Sequence, residues 1–212
     1  MGQNIFGLIG ASSQALEILD FAHKGSVKFF LSSSDEEIGQ TFSRMPIYDL
    51  ATTDPKLTGY GVVPAVGAPG LKRELVSRWT GTLSPAVVAA TAYVSNNSTQ
   101  GDGTVVAPNA VLMTNTRIGK CVLINAGATI SHDTFIGDFS TISPGVNVGG
   151  SCSISEGVFL GIGATVIQGI SIAPGTYVGA GAVVTQDITI PGTYVGVPAK
   201  MISSENVWAL KL

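Results

Sequence analysis

Through the second half of the chain an aliphatic residue returns every six positions. Val88, Val94, Val106, Leu112, Ile118, Ile124, Ile130, Ile136, Ile142, Val148, Ile154, Leu160, Val166, Ile172, Val178 and Val184 all keep the spacing, and within that span only Gln100 breaks it. An α-helix repeats every 3.6 residues, so a strict period of six is not helical. It fits short strands separated by tight turns, with the aliphatic side chain pointing inward. Two residues before the aliphatic lies a small or compact residue, such as Ala128, Thr134, Ser140, Cys152, Ala164, Thr176 or Ala182. The residue just after it is often Gly, as at Gly119, Gly137, Gly149, Gly161 and Gly179. Gly and Asn are expected to supply the unusual turn dihedrals. Three hexads make one triangular coil of about 18 residues, and five to six stacked coils bury one continuous core, a parallel β-helix.

The first part of the chain has another grammar. Ile5 to Gly10 reads as a buried strand ending in a glycine turn, and Leu16 to Phe21 as a helix with Ser12 or Ser13 as its cap. Val27 to Leu31 and Gly61 to Val66 read as further strands, and Leu71 to Trp79 as a second helix. This order predicts a small parallel α/β domain of Rossmann type over residues 1–80. The β-helix is expected over 81–200, and a short tail containing Trp208 over 201–212.

Composition narrows the function. Charged residues make up 12% of the 212 residues and apolar ones 45%, with 27 glycines and a net charge of -3. Disorder requires the reverse balance, and a coiled coil requires abundant Glu, Lys and Arg. The basic surplus of a nucleic-acid binder is missing. Twelve per cent is about half the usual ~25%, too little to cover the chain's own surface, which points to coverage by further copies of the chain. No apolar run is long enough to predict a membrane span, and the N-terminus lacks the basic flank of a secretion signal. Cys121 and Cys152 read as buried thiols rather than a disulfide, which fits a cytoplasmic protein.

Two histidines are available for chemistry. His23, at the end of the first helix beside Lys24, reads as a partner of helix C-terminal carbonyls. His132 stands at an outward turn position of the repeat, in Ile130-Ser131-His132-Asp133. A carboxylate directly after it can hold one ring nitrogen and raise the basicity of the other, the arrangement of a general base. The competing reading is a polar residue tolerated at a turn. Gly10-Ala11-Ser12-Ser13 opens a helix after a strand and forms an incomplete phosphate-binding signal, because GxGxxG lacks its last Gly. No metal is expected: a β-helical zinc site built on three histidines cannot form with one in the repeat. No G-x-S-x-G nucleophile elbow is present.

The stretch Asn125-Ala126-Gly127-Ala128-Thr129-Ile130-Ser131-His132-Asp133-Thr134-Phe135-Ile136-Gly137-Asp138 resembles the bacterial sugar acetyltransferases of the hexapeptide-repeat superfamily. So do Ser143-Pro144-Gly145, Gly161-Ile162-Gly163-Ala164, Val178-Gly179-Ala180-Gly181-Ala182-Val183-Val184 and Val195-Gly196-Val197-Pro198-Ala199-Lys200. The resemblance implies a Rossmann-like domain joined to a left-handed β-helix, an exception to the right-handed crossover rule. It further implies a homotrimer with acetyl-CoA between neighbouring β-helices, His132 as general base and Asp133 as its acidic neighbour. By the same alignment Thr141, Gly150, Ile162 and Ala180 hold CoA or its acetyl group, with the Gly150 N–H facing the oxyanion. Ser12, Ser13 and Gln14 match the loop that contacts a sugar nucleotide. Ser32 and Ser33 replace paired aspartates often used on the nucleotide, and Thr141 replaces a second histidine found in some members. The loop departs too, reading Gly10-Ala11-Ser12-Ser13-Gln14-Ala15 where the family has Gly-Ala-Ser-Gly-His-Gly. The resemblance implies N-acetylation of an amino sugar first, O-acetylation of sialic acid or a polysaccharide precursor second. A non-catalytic trimeric scaffold is the alternative from another class.

Overall fold

The computed structural model describes residues 5–205 and Trp208. Phe6–Ile9 (β1), Val27–Ser32 (β2), Met45–Asp49 (β4) and Gly61–Pro64 (β5) form a parallel sheet, and Thr41–Phe42 (β3) pairs antiparallel with β4 at its edge. The spatial order is β3-β4-β2-β1-β5. All four residues of β1 are buried, the pattern of a strand covered on both faces. Helix α1 spans Ser13–Phe21, α2 Pro55–Thr58 and α3 Pro69–Arg78. The β3–β4 hairpin and α2 go beyond the sequence reading. Ser43 and Arg44 turn the hairpin with φ of 48° and 66°, a conformation that Asn-Gly would have advertised and Ser-Arg does not. Asp54 caps α2 by accepting from the Lys56 N–H at 2.9 Å. Ser12 is the N-cap residue of α1, but its hydroxyl donates to the Ala65 carbonyl at 3.3 Å instead of capping.

From Val87 the chain winds into the β-helix, whose two-residue strands build three parallel sheets. The first, the docked face, holds Val87–Val88, Val105–Val106, Leu123–Ile124, Thr141–Ile142, Phe159–Leu160 and Tyr177–Val178. The second, the uncharged face, holds Tyr93–Val94, Val111–Leu112, Thr129–Ile130, Asn147–Val148, Thr165–Val166 and Val183–Val184. The third, the charged face, holds Thr99–Gln100, Arg117–Ile118, Phe135–Ile136, Ser153–Ile154 and Ser171–Ile172. The aliphatic column from Val106 to Val184 is buried in one cluster, while Val88 at the first coil is exposed. Gln100 keeps the strand register opposite Ile118, so loss of one aliphatic residue does not break the coil.

A left-handed φ recurs at every sixth residue from Gly103 to Gly181, three positions after the aliphatic one. Gly fills most of these sites, and Asn109, Asn115, Cys121, Asp133, Phe139 and Ser151 fill the others. The glycines just after the aliphatic residue therefore serve a different purpose from the one the sequence suggested. Gly149 has ordinary dihedrals, but a Cβ there would lie 2.6 Å from the Gln168 nitrogen of the next coil. Absence of a side chain, not turn conformation, is what that column needs. In the small column the hydroxyls bridge coils. Thr134 Oγ1 donates to the Gly149 carbonyl at 3.0 Å and accepts from the Cys152 N–H at 3.2 Å, so burial leaves it satisfied. Cys121 and Cys152 are free buried thiols, and burial pushes the Cys121 thiol up to about 12.

The α/β part sits on the docked face. Phe6, Leu8, Ala15 and Ile18 share one buried cluster with Val87, Val105 and Leu123. Lys72 on α3 completes the joint. Its Nζ donates to Thr141 Oγ1 at 3.0 Å and to the carbonyls of Ser140 and Phe139 at 3.2 and 3.4 Å. Thr141 Oγ1 in turn donates to the Gly67 carbonyl at 2.6 Å. Those three acceptors suit the three protons of an ammonium, yet burial lowers the Lys72 pKa to about 7 from an ordinary 10.5. Beyond the last coil, Thr193–Val195 pairs with the docked face and with the antiparallel strand Lys200–Ser203. Arg73 lies 3.7 Å over the Trp208 ring. Of the expected tail, residues 206, 207 and 209–212 lie outside the described residues.

Between pH 7 and its ordinary value Lys72 is protonated in the unfolded chain but largely neutral when folded, so stability should rise with pH in that window. Urea unfolding at fixed protein concentration should show the wild type gaining up to about 1.4 kcal/mol per pH unit from pH 7 to 9. Lys72→Met should lose that rise and show only the decline that the buried Cys121 and Cys152 thiols, both raised by burial, cause as pH nears 9.

Candidate active site

His132 stands on the turn from the uncharged face to the charged face, two residues after the buried Ile130. The coil geometry dictates its neighbours. Asp133 occupies the left-handed column with φ 57°, a conformation that Asp tolerates better than most residues. There its Oδ2 accepts from His132 Nδ1 at 2.8 Å. Eighteen residues earlier Asn115 occupies the same column, and its Nδ2 donates to Asp133 Oδ1 at 3.0 Å. The Asn115 and His132 hydrogen bonds, in that order, hold the Asp133 carboxyl below the usual carboxylate range. With Asp133 ionised, Nδ1 carries the ring proton and Nε2 presents its lone pair outward. The side chains of His132 and Asp133 are 60% and 52% exposed, so the imidazole is accessible from outside. Asn115, a positioning residue, escaped the sequence reading. Its signal was the eighteen-residue offset from Asp133, visible only once the coil length is known.

Gly150, one coil on from His132, forms the floor beneath the imidazole. A Cβ there would lie 2.6 Å from His132 Cε1 and 2.7 Å from Nε2. Its N–H makes no hydrogen bond to another described residue, while its carbonyl accepts from Gly169. A free N–H beside the base is the donor that an oxyanion requires.

The other predicted residues fall along a trough between the α/β part and the docked face. A cavity of about 570 Å³ opens where the loops after β1, β2 and β5 converge, lined by Ser12, Ser32, Ser33, Glu37, Gly67 and Phe159 among others. The strand order reverses at β1, and such a switch point is where open α/β sheets take ligands. A second hollow of about 290 Å³ shares Gly67 and Phe159 with it and brings together Gln14, Thr141, Ile162 and Ala180. Phe159 stacks on Tyr177 at 4.8 Å in its wall. A third, of about 450 Å³ beneath α1, shares Asn125 and Pro144 with the second. Ser13, the first residue of α1, is exposed and lines none of the three. The Thr141 hydroxyl is committed to Gly67 and Lys72. The structure thus brings Thr141, Ile162 and Ala180 together but leaves Gly150 with His132, one face of the prism away. Glu37 and Lys72 were missed by the sequence reading because nothing in their local sequence marks them. Among the described residues no cluster of metal-ligating side chains occurs.

No family model and no curated protein matches the chain. Solved structures do. The acetyltransferase domain of PglB from Neisseria gonorrhoeae FA1090 superposes with a TM-score of 0.83 at 27% identity, covering 94% of this chain and 100% of that one. A histidine-to-alanine variant of GDP-perosamine N-acetyltransferase from Caulobacter crescentus, in complex with CoA and GDP-perosamine, gives 0.83 at 26%, covering 94% and 97%. WeeI from Acinetobacter baumannii AYE gives 0.80 at 26%, covering 93% and 99%. Fold and likeness together define a left-handed β-helix acyltransferase. More narrowly, the chain is a hexapeptide-repeat acetyltransferase.

Filling the floor beneath the imidazole should disable the site without unfolding the coil. Gly150→Ala is expected to cut kcat at least tenfold, since misplacing a catalytic group by about 1 Å can cost ~10²-fold, with an unchanged circular dichroism spectrum.

Proposed function

We propose that the protein transfers the acetyl group of acetyl-CoA to the amine of a sugar carried on a nucleoside diphosphate. The observation that carries the reading is the Asn115–Asp133–His132 chain, which leaves Nε2 free as a base above Gly150. His132 Nε2 takes a proton from the acceptor amine as nitrogen attacks the thioester carbonyl. Asp133 stabilises the imidazolium through Nδ1–H, and the Gly150 N–H faces the developing oxyanion. Collapse of the tetrahedral intermediate expels the CoA thiolate, which recovers the proton. Acetyl-CoA is a co-substrate here, with Thr141, Ile162 and Ala180 beside its path; no metal is needed. The PglB domain with acetyl coenzyme A and the Caulobacter enzyme with GDP-perosamine support both substrates.

In this reading residues 1–80 hold the acceptor, with Ser12, Gln14, Ser32 and Ser33 around it, and residues 81–200 carry the transfer. The diphosphate lies at the N-terminus of α1, where helix N–H groups favour anions. The trough ends on the turns leading into the uncharged face, while His132 of the same chain lies beyond that face. Strands of this face and the turns into it contain no Asp, Glu, Lys or Arg; Tyr93 and Ile162 are exposed on them, and Met113 and Ile167 are exposed just after two of the strands. A homotrimer covers such a surface and sets one copy's His132 opposite another's trough. Among the described residues no helix is long and apolar enough to cross a membrane, and both substrates belong to the cytoplasm.

His132→Ala should lower kcat/KM for acetyl transfer by about 10²–10⁴-fold; full activity on the true acceptor would refute the mechanism. Sedimentation velocity at micromolar concentration should give a trimer mass. An equal mixture of His132→Ala and wild-type chains, exchanged through dissociation, should retain activity in proportion to wild-type histidines.

A further inference from the structure

The 570 Å³ cavity has one charged residue in its wall, Glu37. Its position is built, not incidental. Ser32, the last residue of β2, is buried and spends its hydroxyl in both directions. Ser32 Oγ accepts from the Ser34 N–H at 3.0 Å and donates to Glu37 Oε2 at 2.6 Å. Oε1 accepts from no other described residue, which leaves it for a ligand. The serines that replace the paired aspartates therefore bring a carboxylate back to the same strand end, five residues later in sequence. Leu31, Val66, Leu71 and Leu75 add apolar walls suited to a flat ring.

We infer that Glu37 reads the base of the acceptor's nucleotide and selects guanine. This rests on the nucleotide-sugar reading above and sharpens it. A carboxylate offers only acceptors, so its best partner presents two neighbouring donors. Guanine does so through N1–H and the 2-amino group. Uracil and thymine offer a single N3–H between two carbonyls, whose lone pairs face the carboxylate. Adenine and cytosine each set one amino group beside a ring-nitrogen acceptor. Because Ser32 holds Oε2, the carboxylate cannot turn away to suit a mismatched edge.

Calorimetric titration of the intact protein with GDP, IDP, 2′-deoxy-GDP, UDP and dTDP tests the assignment. GDP should bind at least tenfold more tightly than UDP or dTDP, and loss of the 2-amino group in IDP should weaken binding severalfold. 2′-Deoxy-GDP should bind like GDP. Glu37→Gln exchanges one acceptor for a donor; it should lose tenfold or more toward GDP while gaining toward UDP, whose N3–H and adjacent carbonyl suit an amide. Acetyl-CoA binding should be untouched in the variant, which reports an intact β-helix. Equal affinity for GDP and UDP, or a Glu37→Gln variant that keeps wild-type GDP affinity, overturns the assignment and leaves the nucleotide-sugar reading standing. Acetyl-CoA binding with no affinity for any of the nucleotides overturns both.

Discussion

Each coil of the β-helix takes its backbone hydrogen bonds from the coils before and after it. Two-residue strands have no stability alone; they exist because residue i meets residue i+18 on every face. That register fixes everything mounted on it. Asn115 reaches Asp133 because both stand in the left-handed column one coil apart, and Gly150 lies under His132 because those two stand one coil apart in the column just before it. The His132 corner is preorganised by stacking, with the rigidity of the solenoid replacing the packed shell that supports a site in a globular enzyme.

The second constraint is the joint between the two parts. The cavity at the ends of β1, β2 and β5, proposed above for the nucleotide, is useful only if it stands at a fixed height above the coils. Apolar contact across Val105 and Leu123 supplies adhesion, but adhesion alone is non-directional. Lys72, bonded to Thr141 and to two carbonyls, supplies the direction. It ties α3 to the coil containing Thr141, and Thr141 ties that coil to Gly67 at the mouth of both adjoining hollows. Thr141, which the resemblance placed beside CoA, serves here as a structural latch.

Much of this was legible in the sequence because periodicity survives without any knowledge of contacts. The hexad column named the core, and the outward position of His132 followed from counting along it. The resemblance supplied handedness, which no period encodes. What stayed hidden depends on residues brought together from far apart. Lys72 lies 69 positions from Thr141, and a lysine on a short helix reads as solvated surface. Glu37 follows a strand by five residues in a stretch with two other acids, Asp35 and Glu36, so only the Ser32 hydrogen bond distinguishes it. The role of the glycines was half visible: their spacing could be read, but close approach between coils and left-handed turn geometry leave the same letter in the sequence.

A stack of parallel coils is open-ended by nature, and any coil can template the next. The strand Lys200–Ser203 changes that at the C-terminal end of the docked face, because it runs antiparallel to Thr193–Val195. A second molecule arriving with its own first coil would meet a strand of the wrong polarity, displaying Lys200. Growth in the direction of the helix axis is thereby discouraged, while contact sideways, across the uncharged face, is left available. For the trimer proposed above, the consequence is that association closes sideways into a ring instead of extending into a fibre.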